Sequence, residues 1–250
     1  MTGLAITTTA SPNYGPRAAG KPVDILLLHY TGMPEAERSL AWLCDPRSSV
    51  SCHYFVFEDG RIVRLVDEDR RAWHAGKSFW AGETDINSRS IGIEIANPGH
   101  EFGYRDFPDA QIDAVIALCR DILARHPIPP ERVLAHSDVS PLRKDDPGER
   151  FPWRRLAEAG VGRWVPPAPI QDGPVLQRGD SGAAVADLKQ RFRKYGYGLA
   201  PESDFDVETE AVVRAFQRHF RPARVDGIAD ISTLATLHSL IGDAISFHAP

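Results

Sequence analysis

Two histidines stand at the carboxyl ends of apolar runs, where the side chains of a buried strand reach the edge of a sheet. His29 follows the run at 25–28 (ILLL), and His136 follows the shorter run at 133–135 (VLA). The next segment, residues 137–148, is a loop that contains proline, glycine and several carboxylates. Two imidazoles and one carboxylate suit a divalent metal, and zinc fits best because three protein ligands leave a fourth position for water. An open site of this kind indicates hydrolysis rather than a structural role.

The elements that must position these residues alternate between strands and helices. Apolar runs and alternating patterns predict strands, and amphipathic spacing predicts helices. The predicted strands are residues 23–29, 54–58, 61–66, 90–96 and 132–135, and the predicted helices are 34–44 and 108–125. Asp59-Gly60 separates two of these strands and predicts a hairpin turn. Residues 1–20 show no periodicity and are expected to be irregular. The predicted fold class is therefore α/β, a mixed sheet flanked by helices.

A proline-rich stretch divides the chain. Residues 164–174 contain four prolines, which cannot continue a helix, so this stretch predicts a linker. Beyond it the pattern is helical alone, with apolar faces carried by Val185, Leu188 and Phe192, by Val212, Val213, Phe216 and Phe220, and by Leu234, Leu237 and Ile241. Ser181 and Ser232 stand where helix N-caps are expected. We therefore predict a small three-helix domain at 175–250, after a first domain at 1–163.

The composition is that of an ordinary globular protein. Of 250 residues, 42% are hydrophobic and 25% are charged, and the net charge of −5 argues against a nucleic-acid partner. Three widely spaced cysteines form no CxxC pair, so neither a thiolate zinc site nor a disulfide framework is expected. No secretory leader and no transmembrane-length apolar stretch is visible. The default expectation is a monomeric cytoplasmic protein, and the alternative is the cell envelope, the periplasm or the extracellular space.

Five stretches, in this order along the chain, resemble the zinc-dependent N-acetylmuramoyl-L-alanine amidases, which share a fold with peptidoglycan recognition proteins. They are 27–31 (LLHYT), 50–56 (VSCHYFV), 72–76 (AWHAG), 90–97 (SIGIEIAN) and 136–148 (HSDVSPLRKDDPG). The resemblance covers roughly residues 20–160. It implies hydrolysis of the amide between N-acetylmuramic acid and L-alanine in peptidoglycan or its fragments.

The resemblance also implies the metal ligands. His29, His136 and Asp146 are the expected zinc ligands, with Asp146 in the Lys-x-Asp-Pro-Gly pattern of the family. The neighbouring Asp145 is then expected to be a solvated surface acid. His53 is an alternative third imidazole ligand, although the family pattern leaves this position outside the metal set.

Glu94 is the expected general base. Alternation along the strand places Glu94 on one face with Gly92 and Ala96, so small neighbours would leave room for substrate. In the family that the chain resembles, a glutamate here takes part in catalysis, and Lys144 would stabilise the oxyanion. Because a metal cation and Lys144 would face the carboxylate, we expect no upward shift of the Glu94 pKa. The alternative is a solvent-facing glutamate on an edge strand.

Three further residues are expected to contact the substrate: Trp73, His74 and Asn97. Trp73 and His74 lie side by side in the predicted loop at 72–76, where an aromatic ring beside a histidine suits contact with a sugar or a peptide. The alternative for His74 is a loop residue that only faces solvent.

Residues 175–241 resemble the peptidoglycan-binding module found beside many wall hydrolases. The matching positions include the stretch at 176–182 (LQRGDSG), 195–197 (YGY), 215–217 (AFQ) and the Asp-Gly pair at 226–227. One departure is Asp230, where a second glycine is common. The resemblance implies that the module holds the enzyme on its polymer and raises the local substrate concentration. We also expect the first domain to fold and act without it.

Two other functions remain open at this level. A peptidoglycan receptor without catalysis would have the same fold, because function resides in the site. Such a receptor would be expected to lose a metal ligand or Glu94, and this chain keeps all four residues. A zinc peptidase that cuts within the stem peptide is the second alternative, although the chain lacks the His-Glu-x-x-His helix of common zincins.

Overall fold

A mixed six-stranded sheet lies at the centre of the protein in the computed structural model, which describes residues 3–242. The ends of the two predicted domains, residues 1–2 and 243–250, lie outside the described residues. The strands are β1 (Ile6–Thr8), β2 (Tyr14–Pro16), β3 (Ile25–Tyr30), β4 (Tyr54–Val56), β5 (Ile62–Arg64), β6 (Arg70–Ala72), β7 (Ser90–Ile95) and β8 (Val133–Ala135). The sheet order is β1-β5-β4-β7-β3-β8, and β2 pairs with β6 separately. The predicted mixed α/β class is confirmed.

Helices flank the sheet and then continue alone. The first five are α1 (Ala36–Leu43), α2 (Ile86–Arg89), α3 (Asp109–Arg125), α4 (His136–Val139) and α5 (Trp153–Glu158). The predicted C-terminal helical domain is confirmed as α6 (Ala183–Tyr195), α7 (Val207–Phe220) and α8 (Ile231–Ile241). Within the described part of the chain, no helix combines the length and the apolar character needed to cross a bilayer.

The predicted serine N-caps of two C-terminal helices are wrong. Gly182 precedes α6 without a side-chain cap. Asp230 caps α8, because its carboxylate accepts a hydrogen bond from the backbone N–H of Thr233. The aspartate that departs from the pattern of the resembling modules therefore starts a helix here.

Strand register brings the predicted site residues together. β3 lies between β7 and β8 and runs parallel to both, with His29 opposite Glu94 and Leu28 opposite Ala135. Because His136 directly follows Ala135, both histidines lie at the same edge of the sheet as Glu94. β7 is an interior strand between β3 and β4, so the alternative of an edge-strand glutamate is wrong.

The two faces of the sheet carry different apolar cores. Leu26 and Leu28 belong to the cluster that contains the apolar stripe of α3, whereas Ile25 and Leu27 belong to the cluster on the other side. This division follows from the alternation of side chains along a strand. His29 is two residues beyond Leu27 and therefore lies on the face away from α3.

The C-terminal domain packs directly against that second face. One buried cluster combines Leu134 and Val139, which flank His136 in the sequence, with Val185 of α6 and other residues of the C-terminal helices. The approach is close, since a Cβ atom added at Gly196 would lie 2.6 Å from the Trp80 ring. The two predicted domains therefore share one hydrophobic core, which argues against the expectation that the first acts without the second.

The predicted linker at 164–174 has no regular secondary structure, but it is packed along α8. The backbone N–H of Ala168 donates to Thr236 Oγ1 at 3.0 Å, and Ser232 Oγ donates to the Ala168 carbonyl at 2.6 Å. These hydrogen bonds hold the predicted linker against α8 of the C-terminal domain.

The expectation of an irregular N-terminal segment is wrong at two short strands. β1 pairs in parallel with β5, and β2 pairs antiparallel with β6. Each strand has three residues, and neither carries the alternating apolar pattern by which a strand is recognised in sequence. Their pairing depends on distant partners, which local pattern does not reveal.

Candidate metal centre and active-site cleft

Three donor atoms converge at the edge of the sheet, from His29 near the end of β3, His136 at the start of α4 and Asp146 in the following loop. The Nδ1 atoms of the two histidines lie 2.9 Å apart, and Asp146 Oδ2 lies 3.2 Å from His29 Nδ1 and 3.1 Å from His136 Nδ1. Ligands of one tetrahedral zinc ion are about 3.3 Å apart, given bonds of about 2.0–2.2 Å. The three side chains are buried, and they form a group that could hold a metal ion.

Hydrogen bonds to the far side of each ring determine which nitrogen faces the common centre. His136 Nε2 lies 3.1 Å from the Ala75 carbonyl, which only accepts, so Nε2 carries the proton and Nδ1 presents a lone pair. Ser90 Oγ donates to the Ile86 carbonyl at 2.7 Å, so it accepts from His74 Nε2 at 3.3 Å. His74 Nδ1 is then unprotonated and accepts from His29 Nε2 at 3.1 Å. Both ligand histidines therefore direct an Nδ1 lone pair at the position that the Asp146 carboxylate also faces. A cation satisfies such a set.

The protonation states also suit a metal ligand set. Burial, followed by the neighbouring His136, lowers the pKa of His29 to about 4. Burial alone would raise the pKa of Asp146, but the two facing histidines hold it well below its ordinary value. At neutral pH His29 is therefore neutral and Asp146 is ionised, as metal binding requires.

Glu94 faces the same centre from the neighbouring strand. Its side chain lines the same cleft as His136 and Asp146, and its Oε2 atom is buried without a hydrogen-bond partner among the described residues. A buried carboxylate oxygen without a partner is uncommon in folded proteins. A water molecule or a substrate N–H in the cleft would supply the missing partner.

The expectation for the Glu94 pKa is wrong for the protein without metal. Burial, followed by the nearby Asp146 carboxylate, raises the pKa of Glu94 well above its ordinary value, whereas the Lys144 ammonium group opposes this shift. The positive charges can be found in the sequence, whereas the loss of water around the Glu94 carboxylate is evident only in the folded protein. A bound cation would act in the same direction as Lys144 and favour the ionised form.

Two members of the triad, His136 and Asp146, line a cleft of about 420 Å³. Lys144 lines it beside Asp146, and its backbone N–H donates to the Ser140 carbonyl at 3.1 Å, which ties the metal loop to α4. Trp73 also lines the cleft, so it stays a predicted substrate contact. Trp42, which the sequence analysis did not select, lies on the same wall and is half exposed.

His74 lies beside the ligand His29 and is not a solvent-facing loop residue. It is buried, and both ring nitrogens are used, one by His29 and one by Ser90. A Cβ atom added at Gly92 would lie 2.5 Å from His74 Nδ1. The space beside Glu94, which the sequence analysis reserved for substrate, is therefore filled by His74. His74 therefore supports a ligand, and because it also lines the cleft, its predicted substrate contact stays a prediction.

Asn97, the third predicted substrate contact, has a side chain that is used within the fold, and its contact with substrate stays a prediction. Its side chain is buried, donates to the Arg105 carbonyl at 2.8 Å and accepts from the Gly99 N–H at 3.0 Å. These hydrogen bonds hold the turn after β7 and use both ends of the amide.

His53 is not an alternative ligand. The backbone N–H of Gly92 donates to His53 Nδ1 at 3.0 Å, and His53 Nε2 donates to the Arg70 carbonyl at 3.1 Å. Both nitrogens are thus used to join β4 to its neighbours, and the ring is fully buried.

Three residues around the metal centre were missed by the sequence analysis: Asp138, Tyr197 and His219. Asp138 lies in α4, two residues after His136, and it contacts Tyr197 and His219 of the C-terminal domain. No local pattern links these positions, because the two partners lie 59 and 81 residues further along the chain.

At one edge of a mixed α/β sheet, a His-His-Asp triad that could hold a metal ion lies beside a glutamate, an arrangement that suits a hydrolase. The comparisons agree, and the chain belongs to the N-acetylmuramoyl-L-alanine amidase family, whose sequence profile matches residues 19–149. Residues 181–237 match the profile of a putative peptidoglycan binding domain. The predicted amidase family and the predicted peptidoglycan-binding module are both confirmed.

Relatives with both parts are similar over most of their length. N-acetylmuramoyl-L-alanine amidase AmiD of Escherichia coli is 39% identical over 237 residues, which cover 90% of this chain and 84% of AmiD. Its structure with anhydro-N-acetylmuramic acid-L-Ala-D-gamma-Glu-L-Lys has a TM-score of 0.76 and covers 90% of this chain and 91% of that chain. AmpDh3 of Pseudomonas aeruginosa, in complex with an anhydromuramic pentapeptide, is 33% identical with a TM-score of 0.73, covering 93% and 97%.

Proposed function

We propose that this protein is a zinc-dependent amidase that cleaves the bond between the lactyl group of N-acetylmuramic acid and L-alanine in peptidoglycan fragments. The observation that carries this proposal is the convergence of two imidazole lone pairs and one carboxylate within 2.9–3.2 Å of one another, beside the unpartnered oxygen of Glu94. Mixed nitrogen and oxygen donors with an open fourth position suit zinc.

The substrate class rests on the relatives. AmiD and AmpDh3 each hold a muropeptide with an anhydromuramic end in their solved structures. The cleft of this chain is lined by Glu94, His136 and Asp146, with Trp73 on its wall. We therefore propose that 1,6-anhydro-muropeptides are accepted, and that the C-terminal module brings the enzyme to the polymer from which they come.

The chemistry follows from the positions of Glu94 and Lys144. Zinc, when bound by His29, His136 and Asp146, supplies a water of lowered pKa (about 7) and polarises the scissile carbonyl. Glu94 accepts the proton of the attacking water and returns it to the leaving amine of L-alanine. The Lys144 ammonium group stabilises the negative charge that develops on the carbonyl oxygen. The remaining two histidine nitrogens hold the ligand rings in place through His74 and Ala75.

Product analysis tests this function against the two alternatives. Purified protein with zinc is incubated with a defined anhydro-muropeptide, and the products are identified by mass spectrometry. We expect free 1,6-anhydro-N-acetylmuramic acid and an intact stem peptide that begins with L-alanine. Cleavage within the stem peptide would indicate a zinc peptidase, and binding without cleavage would indicate a receptor.

Metal dependence is tested in parallel. The protein should contain close to one zinc ion, and His136→Ala should lose both the metal and the activity. His126→Ala is the matched control, because this histidine lies outside the metal centre and pairs with Glu68. Full zinc content in His136→Ala would contradict the ligand assignment.

A further inference from the structure

A buried carboxylate of the amidase domain is held by the C-terminal domain. Asp138 is 1% exposed, and its Oδ2 atom accepts from the backbone N–H of Ala135 at 2.8 Å, at the start of α4. Its two other partners are the Tyr197 hydroxyl at 2.6 Å and His219 Nδ1 at 2.7 Å. His136 lies between Ala135 and Asp138, so these bonds fix the backbone turn that presents a metal ligand.

His219 is itself held rigidly in α7. Its ring stacks on Trp153 of the amidase domain at 3.7 Å and on Phe220 at 3.9 Å between centroids, and it is 1% exposed. A donor held on both sides in this way has little freedom to leave Asp138. Its position is thus determined by the packing of the two domains.

Arg218, the residue before His219 in α7, contacts the loop that carries the ligand Asp146. Arg218 pairs with Asp145 at 2.7 Å, and Asp145 directly precedes the ligand Asp146. The Arg218 side chain is only 12% exposed, although the partner carboxylate is half exposed. Consecutive residues of one helix therefore reach the turn after His136 and the loop before Asp146.

We propose that the C-terminal module is a positioning part of the metal centre, in which Tyr197, Arg218 and His219 hold the two segments that carry His136 and Asp146. The proposal rests on the assignment of these residues as metal ligands. It gives the module a function beyond attachment to peptidoglycan. None of the three residues touches the metal or the substrate, so each acts through Asp138 or Asp145.

Asp138 is a buried carboxylate that depends on its hydrogen-bond donors. Removing both donors from the module would leave Asp138 with only the Ala135 N–H, and a buried carboxylate that loses partners is strongly destabilised. The turn would have to move to bring Asp138 to water, and His136 would move with it. Metal affinity is sensitive to such shifts, since removal of partners that orient ligands typically costs about 10–100-fold.

The test measures zinc affinity on the full chain by competition with a chromophoric chelator. His219→Phe keeps the stacked ring and removes the donor, and the double variant with Tyr197→Phe removes both module donors. We expect the double variant to bind zinc about 10-fold more weakly or worse. His219→Asn should restore most of the affinity, because its amide nitrogen can take the place of Nδ1 as donor to Asp138. Arg218→Met should weaken zinc binding through the second segment.

The matched control is Arg221→Met, at the end of the same helix. Arg221 is 1% exposed, and its partners Asp230 and Thr233 lie inside the module. This variant should lower the melting temperature while the zinc dissociation constant stays within about twofold of wild type. Thermal melts of every variant separate loss of fold from loss of positioning.

Two results would overturn the proposal. One is unchanged zinc affinity in the folded double variant, and the other is an equal loss of affinity in Arg221→Met, which would indicate general destabilisation. Failure of the proposed function is a different outcome, because wild-type protein would then bind no zinc or leave the muropeptide uncut.

Discussion

Glu94 and Asp146 are two carboxylates in one cleft whose surroundings give them opposite properties. Two histidine nitrogens within 3.2 Å of Asp146 lower its pKa, whereas burial and the nearby Asp146 raise the pKa of Glu94. A low pKa suits a permanent metal ligand, and an elevated pKa suits a group that exchanges a proton near neutral pH. The environment thus separates the ligand from the proton carrier.

Substitution of Glu94 by glutamine tests this division of roles. Glu94→Gln keeps the shape of the side chain but cannot accept the proton, so kcat should fall about 10²–10⁴-fold with little change in KM. Zinc content should remain close to one ion. Single-turnover hydrolysis of a defined muropeptide by the zinc-loaded variant provides the measurement.

Glu101→Gln is the control for this experiment, because Glu101 is an exposed acid on the same cleft. It should react at close to the wild-type rate. Activity of Glu94→Gln within a few-fold of wild type would remove Glu94 from the mechanism.

At the scale of single residues, the sequence indicates which residues belong to the site better than it indicates what their side chains contact. His29, His136 and Glu94 could be found because each stands in a strand or at its end, within a motif. His74 and Asn97 lie in equally clear motifs, but their side chains turn into the protein. Nothing local indicates this, because the space that His74 fills is created by Gly92 on a different strand.

Among the elements, β7 supports the metal centre because it has a glycine, Gly92, at the position next to the His74 ring. Gly92 lies next to Leu27 of β3, and the missing Cβ leaves space for the His74 ring. His74 Nδ1 then accepts a hydrogen bond from the protonated Nε2 of His29. A methyl group at this position would press on the ring that orients a metal ligand.

Gly92→Ala should therefore weaken both the fold and the metal centre. The added Cβ would lie 2.5 Å from His74 Nδ1, so the ring must shift. Overpacking of this kind costs typically about 1–3 kcal/mol of unfolding free energy. We expect a lower melting temperature together with weaker zinc binding, measured by thermal denaturation and chelator competition.

Gly15→Ala is the matched control for this substitution. Gly15 also lies in a strand, and its added Cβ would meet only Trp73 Nε1 at 3.9 Å, an ordinary contact. Stability and zinc affinity should be nearly unchanged. Equal tolerance of both substitutions would show that His74 is not held against β7.

A second histidine, His53, connects β4 to β7 and β6 from a fully buried position. Burial, followed by the charge of Arg17, lowers its pKa to about 3 from the ordinary value of 6.5. Between these values the unfolded chain binds a proton that the folded chain excludes. The contribution of His53 to stability is therefore complete above pH 6.5 and decreases as the pH falls toward 3.

Replacement of this histidine should change the pH dependence of unfolding. In His53→Gln the slope of unfolding free energy against pH, between about pH 4 and 6, should fall by up to one proton, or about 1.4 kcal/mol per pH unit. Denaturant titrations of metal-free protein at several pH values give this slope. The difference between the two proteins at pH 8 isolates the pH-independent cost of the substitution, and parallel slopes would show that His53 is not excluded from protonation.

Long elements could be predicted from their patterns, whereas short ones could not. The buried run of β3 and the stripe of α3 are unambiguous in the sequence. β1, β2 and α4 have three or four residues each and gain their stability from partners elsewhere in the chain. α4 matters most, because it carries His136 and the Asp138 carboxylate.

At the scale of the whole molecule, the sequence predicts two separate domains, whereas in the structure the two domains pack against each other. The apolar faces of α6, α7 and α8 are sufficient to suggest a self-contained bundle. In the structure the same cluster also includes Trp80, Leu134 and Val139 of the amidase domain. Sequence periodicity shows that a face is buried, but not which partner buries it.

Truncation in the linker measures how much the amidase domain depends on this interface. A fragment that ends at Pro166 would expose Trp80, Leu134 and Val139, which are at most 2% exposed in the whole protein. Exposure of three such side chains costs several kcal/mol, at about 1.5–3 kcal/mol each, so the melting temperature should fall by roughly 10 °C or more. The control is full-length protein cleaved at a protease site inserted in the exposed stretch at 171–172. The cleaved protein keeps the interface and should melt close to the intact chain if packing, not the covalent link, provides the stability. A fragment as stable and as active as the full chain would instead support independent domains.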